Sequence, residues 1–160
     1  MKIFSEKLRK GKEWVKGNLD KVFFYDIINE GSDKVVDLKE LCKINIQPLE
    51  AEFGTLKTDE VIITNERIEH IKNRHPDDYD LFEKHGTDIL KNPDIILKDE
   101  KNKGTVFMIK NMPDSNLNVV LRLVLQSDEK RKNSVMTFYR IREKNLKKLE
   151  KKNKVLYKKA

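Results

Sequence analysis

Between residues 95 and 142 the apolar pattern switches from a helical period to a period of two, and that switch restricts the possible folds most. Four runs carry it: Ile95–Leu97, Thr105–Ile109, Leu117–Gln126 and Ser134–Arg142. Alternation at period two sends successive side chains to opposite faces of a strand. The separators Asn102–Gly104, Asn111–Asn116 and Ser127–Asn133 are rich in turn residues and short enough for hairpins. The strands should therefore form an antiparallel meander. Leu117, Val119, Leu121, Leu123 and Leu125 make one face nearly all aliphatic, opposite Asn118, Val120, Arg122, Val124 and Gln126. One face should pack on helices while the other stays partly open. On the last run, alternation groups Val135, Thr137, Tyr139 and Ile141 against Ser134, Met136, Phe138 and Arg140.

Upstream of the meander the pattern is helical. Val61–Ile63 is a short strand-like run, and Thr64 can cap a following helix, with Glu66 favourable in its first turn. That helix should end near Arg74, because Pro76 removes a backbone donor and disfavours the α conformation at His75. A second helix fits Asp77–Lys84, with Gly86 breaking it and Thr87–Leu90 making a turn before Pro93. After the meander, Glu143–Lys152 reads as an amphipathic helix around Leu146 and Leu149, followed by Val155–Tyr157. The expected class is α+β, with helices on one face of a four-stranded antiparallel sheet over residues 58–160. Residues 1–57 are expected to form an N-terminal extension. A helix over 1–17 would be built on Phe4, Leu8 and Val15, and strand-forming runs at Val22–Ile28 and Lys34–Leu38 suggest a hairpin. Residues 42–60 give no firm periodicity; Pro48 and Gly54 point to connections with short elements.

Composition narrows the function classes. The hydrophobic and charged fractions are both 38%, so the core should be thin and the surface heavily solvated. No stretch approaches the roughly 18 apolar residues of a membrane span, and the N-terminus lacks the apolar run of a signal peptide. The single cysteine, Cys42, excludes an internal disulfide and fits a reducing cytoplasm. Ten of the Lys and Arg residues fall between Arg140 and Ala160 against two acids, Glu143 and Glu150. The net charge of +7 is thus a C-terminal property. Such a cluster favours polyanions, nucleic acid first and acidic membrane surface second. Lys147, Lys148 and Lys151 are its candidate contacts.

All three histidines, His70, His75 and His85, fall within sixteen residues. On the helix after Thr64, Arg67, His70 and Arg74 share one face, while Ile68, Ile71 and His75 form a neighbouring stripe toward the core. Cationic neighbours keep a histidine neutral, which suits His70 as a general base. The helix end, whose free carbonyls favour a cation, suits His75 as the acid. His85 reads as a helix-terminal residue. The spacing of His70 and His75 is not the i, i+4 pair of a helical zinc motif, so neither a metal nor another cofactor is expected. Thr137 and Tyr139, two apart on a strand, can present hydroxyls to a phosphate or a ring to a base. Lys110 and Arg122 on neighbouring strands are candidates to reach the same face.

The order of these features resembles a known group. A helix carries Thr64, Arg67, His70, Arg74 and His75-Pro76; a meander follows; the last strand holds Thr137-Phe138-Tyr139 before a Lys-rich end with Val155-Leu156-Tyr157. Over about residues 58–158 this resembles the phage-associated nuclease families of the barnase–EndoU–colicin E5/D–RelE (BECR) superfamily. The resemblance implies a metal-independent ribonuclease with helices on an antiparallel sheet. It also implies a site formed by His70, Arg74, His75, Thr137 and Tyr139; Arg67, Lys110, Arg122 and the helix lysines are added from geometry and charge. RNA is the partner expected, in the host cytoplasm if the chain is phage-encoded. The alternative is an accessory protein that binds RNA or a host or phage protein without catalysis; a metal-dependent DNase and a toxin-like activity are further options.

Overall fold

The computed structural model describes residues 37–126 and 132–160, nearly all of them in the compact unit Lys39–Ala160. The helix expected over 1–17, the strand over 22–28 and most of the run 34–38 lie outside the described residues. The described elements run β1 (Leu38–Lys43), α1 (Gln47–Phe53), β2 (Glu60–Thr64), α2 (Asn65–Arg74), α3 (Tyr79–Lys91), β3 (Ile95–Lys98), β4 (Thr105–Lys110), β5 (Asn116–Arg122), β6 (Asn133–Ile141), α4 (Glu143–Lys152) and β7 (Val155–Lys158).

The meander from β3 to β6 is antiparallel throughout, as the turn-rich separators imply. The sheet, however, has seven strands in the order β1-β2-β6-β5-β4-β3-β7, not four. β2 joins β6 in parallel through Val61–Asn133 and Ile62–Ser134, and β7 joins β3 antiparallel. With β1 beside β2 at the sheet edge, three strands are added, and the pairings β2–β6 and β3–β7 join residues remote in sequence, so no hairpin signal announces them. α1, in the region without periodicity, is started by Pro48, buries Leu49 completely and stops at Gly54, whose φ of 81° suits glycine.

The helices are not confined to one face. Leu117, Val119, Leu121, Leu123, Val106 and Met108 form one core cluster with Ile71, Phe82, Ile89 and Leu90 of α2 and α3. The opposite face, with Ile95, Leu97, Phe107, Ile109 and Ile141, is partly covered by α4 through Leu146 and Leu149. An apolar stripe on α4 and an apolar patch on β3 and β4 bury one another, so a helix covers part of that face as well.

Two local expectations change. α3 runs through Gly86 to Lys91, so His85 is a mid-helix residue rather than a terminal one. A Cβ at Gly86 would stand 2.9 Å from the Phe82 ring, so the glycine here makes room for an aromatic one turn back instead of breaking the helix. On β6 the pairing slips: Val120 faces Thr137, but Leu121 faces Val135. The resulting bulge sends Val135 into the α2–α3 core with Phe138, while Thr137 and Tyr139 keep to the other face. Strict alternation had grouped Val135 with Thr137.

Among the described residues no helix is long and apolar enough to cross a membrane.

Candidate active site

Thr64 caps α2 as expected, its side chain accepting from the Arg67 N–H at 3.2 Å. Ile71 is fully buried and Ile68 packs against the same core, which fixes the roll of the helix. α2 ends at His75, whose own N–H donates to Ile71 O at 2.8 Å. Here β6 has run past its short pairing with β2, and α2 packs against it. The His75 ring stacks on Tyr139, with centroids 5.5 Å apart and planes 29° from parallel. A helix histidine and a strand tyrosine, 64 positions apart, therefore meet.

The turn that carries His75 is anchored. Asp78 N–H donates to His75 O at 2.9 Å, and the buried Asp78 carboxylate accepts from Arg140 Nε at 2.6 Å and from Arg140 N–H at 3.3 Å. Arg140 follows Tyr139 directly, so this ion pair sets the register between the two rings.

His70 lies one turn back and is half-buried. Burial first, then the Arg67 and Arg74 guanidinium groups and His75, hold its pKa below the ordinary histidine value. Tyr139 shifts the other way: burial raises its pKa, partly offset by the Asn118 amide beside it. The phenol thus stays a protonated donor at neutral pH. Asn118 pairs with Tyr139 across the strands yet neither of its amide atoms completes a hydrogen bond within the chain. The Thr137 hydroxyl and Arg122 Nε are likewise buried without partners. All three side chains belong to the Tyr139 face, since Asn118 and Arg122 flank Val120 on β5 and Val120 faces Thr137. Asn118 escaped the sequence reading because an asparagine in an apolar strand signals nothing until its neighbours are known.

Lys110 is on the other side of the sheet, cross-strand from Leu117, and its ammonium donates to Asn92 O at 2.9 Å with Asp88 at 3.6 Å. It does not join Tyr139; a one-residue offset on a strand reverses the face. Arg74 is exposed at the end of α2, and Arg67 is half-buried a turn before His70. Lys147, Lys148 and Lys151 are exposed on α4, with no acid in ion-pair range among the described residues. No group of three His, Cys, Asp or Glu side chains able to hold a metal occurs among the described residues. A cavity of about 100 Å³ sits elsewhere, between β1, α2 and α3, lined by Ile63, Ile68, Tyr79 and Phe82. It lies on the helix side of the sheet and lacks the histidines, so the Tyr139 face is the better candidate.

Searches of curated proteins and of solved structures each give no match. Residues 40–148 match the family described as phage-Barnase-EndoU-ColicinE5/D-RelE like nuclease3 (PBECR3). That stretch exceeds half the chain and holds His70, His75, Asn118, Arg122, Thr137 and Tyr139. The chain therefore belongs to this nuclease family of the BECR superfamily.

Proposed function

We propose that the protein is a ribonuclease that cleaves RNA through attack of the substrate's own 2′-OH. The products are a 2′,3′-cyclic phosphate and a free 5′-OH. His70, held neutral by burial and by the neighbouring guanidinium groups, takes the 2′-OH proton. His75 returns a proton to the leaving 5′-oxygen. Arg74 and the protonated Tyr139 hydroxyl stabilise charge on the phosphorane, and Thr137 orients the substrate chain. The exposed lysines of α4 add sequence-independent affinity. The observation that carries this reading is the stack of His75 on Tyr139, which joins the histidine helix to a sheet face with unpartnered polar groups.

The test is cleavage of RNA and of DNA of the same sequence by purified protein in EDTA, with the products analysed for cyclic phosphate. RNA should be cut and DNA spared. His70→Ala and His75→Ala should each lower the rate roughly 100- to 10,000-fold, the range for one lost proton transfer. Full activity in both variants overturns the assignment. If wild-type protein binds RNA without cutting it, the free lysines of α4 favour the alternative of a non-catalytic RNA-binding accessory protein.

A further inference from the structure

The geometry points to a phosphate-binding subsite on β5 and β6, separate from the histidines and built by Arg122, Thr137 and Asn118. It rests on the ribonuclease reading and extends it, because it would hold the phosphodiester next to the one being cut.

Three observations carry it. Asn118 is fully buried, yet both its amide oxygen and its amide nitrogen lack a hydrogen-bond partner. The Thr137 hydroxyl and Arg122 Nε share that condition. Buried polar atoms are nearly always paired, so three neighbouring side chains left open on one face need a common explanation. Register brings them together. Thr137 faces Val120, and Asn118 and Arg122 stand two residues to either side of Val120 on the same strand face. The β-bulge beside Val120 holds Thr137 on this face while Val135 is drawn into the opposite core.

The donor chemistry selects the ligand. Three of the four open atoms, Arg122 Nε–H, the Thr137 hydroxyl and the Asn118 amide N–H, are donors, while Asn118 Oδ1 is an acceptor that takes no part in holding an anion; the row carries a formal positive charge from Arg122. An anion with several acceptor oxygens satisfies such a set, and a phosphodiester is the anion an RNA chain brings. Asp99, an acid near enough to act on Tyr139, is already engaged: its carboxylate accepts from the N–H groups of Lys101 and Asn102 and from Asn102 Nδ2. Thr137 lies two residues from Tyr139, about 7 Å along the strand, which suits the next phosphate along an extended chain.

The test measures binding, not turnover. A single-stranded 2′-fluoro RNA oligonucleotide has no 2′-OH nucleophile, so the intact protein binds it without cutting it. Its Kd is measured by fluorescence anisotropy over a range of salt concentrations. Removing one phosphate contact from a single strand should lower the slope of log affinity against log salt by about 0.7. Arg122→Gln should show that loss, and Arg122→Lys should keep the wild-type slope. Thr137→Val, which removes the hydroxyl donor at nearly constant volume, should weaken binding about ten-fold, the loss of one hydrogen bond to a charged group. A wild-type slope in Arg122→Gln overturns the proposal and leaves buried water as the partner of these atoms. Wild-type affinity in Thr137→Val overturns it equally, and serves where Arg122→Gln does not fold. A protein that binds the probe through this row but cuts no RNA refutes the ribonuclease reading and retains the subsite.

Discussion

Asn133 and His70 are polar residues hidden by the fold, the first wholly and the second in part, and their surroundings act on them in opposite ways. Asn133 is fully buried and fully satisfied. Its Nδ2 donates to Thr58 O and Glu60 O, each at 3.0 Å, and its Oδ1 accepts from Val124 N–H at 2.8 Å. One side chain thus ties the start of β2, the exit of β5 and the start of β6 together. Asn133→Ala strands three backbone groups, and at about 1 kcal/mol each the loss should be roughly 3 kcal/mol. A urea titration should show a lower midpoint with an unchanged slope. His70 is instead pressed toward its neutral form by burial and by Arg67 and Arg74. Its folded pKa lies below its unfolded one, so its share of stability is present above the unfolded value, about 6.5, and is lost as pH falls through the folded one. As the base, it should leave an acid limb in kcat/KM below the ordinary histidine range. Arg74→Gln removes one repelling charge, so the limb should move to higher pH; a limb that stays or moves lower removes His70 from the role of base. The Thr64 cap was legible in sequence because both partners lie within four residues. The jobs of Asn133 and Asn118 were not: the partners of Asn133 and the neighbours of Asn118 arrive from other strands, and Asn133 reads locally as the end of a turn.

At the level of elements, whatever closes over a short loop could be read and whatever closes over a long one could not. β3 to β6 were visible because each separator is short and contains Gly, Pro, Asn, Asp or Ser. β2 was visible as an apolar triplet, but its place beside β6 depends on a parallel pairing of residues some seventy positions apart. β7 is four residues long with Val155 and Tyr157 exposed, so it has no alternation to read. Gly86 misled for a different reason. Glycine disfavours helix by about 1 kcal/mol relative to alanine, a preference that packing against Phe82 overrides. Gly86→Ala regains that propensity but drives a methyl into the Phe82 ring, which is held against Phe138 with ring centroids 5.4 Å apart. Overpacking of this kind costs about 1–3 kcal/mol, so the clash should win and Tm should fall. A raised Tm would show that the Phe82 ring moves freely. α2 and β6 show why the candidate site was half legible: each histidine and hydroxyl was visible, but their meeting depends on the Asp78–Arg140 pair, which no local pattern signals.

For the molecule as a whole, charge and fold divide the work. The Tyr139 face supplies directed groups, and α4 lies on the same side of the sheet, with Leu146 buried and Leu149 half-buried against β3 and β4. Both acids of α4 are already engaged: Glu143 accepts from Asn116 Nδ2 at 3.0 Å, and Glu150 pairs with Lys158 at 3.0 Å. Lys147, Lys148 and Lys151 are therefore left to project an uncompensated field beside the candidate site. Charges of this kind set affinity and encounter rate; they do not perform chemistry. Changing all three to glutamine should lower the salt slope of single-strand binding by about 2, at roughly 0.7 per phosphate contact. KM should rise at moderate salt while kcat at saturating RNA stays near wild type, because the histidines and Tyr139 are untouched. The fold should be unaffected, since none of the three side chains is buried. A fall in kcat with KM unchanged would move α4 from anchoring the substrate to shaping the reaction, and would make the sheet face alone an incomplete account of the site.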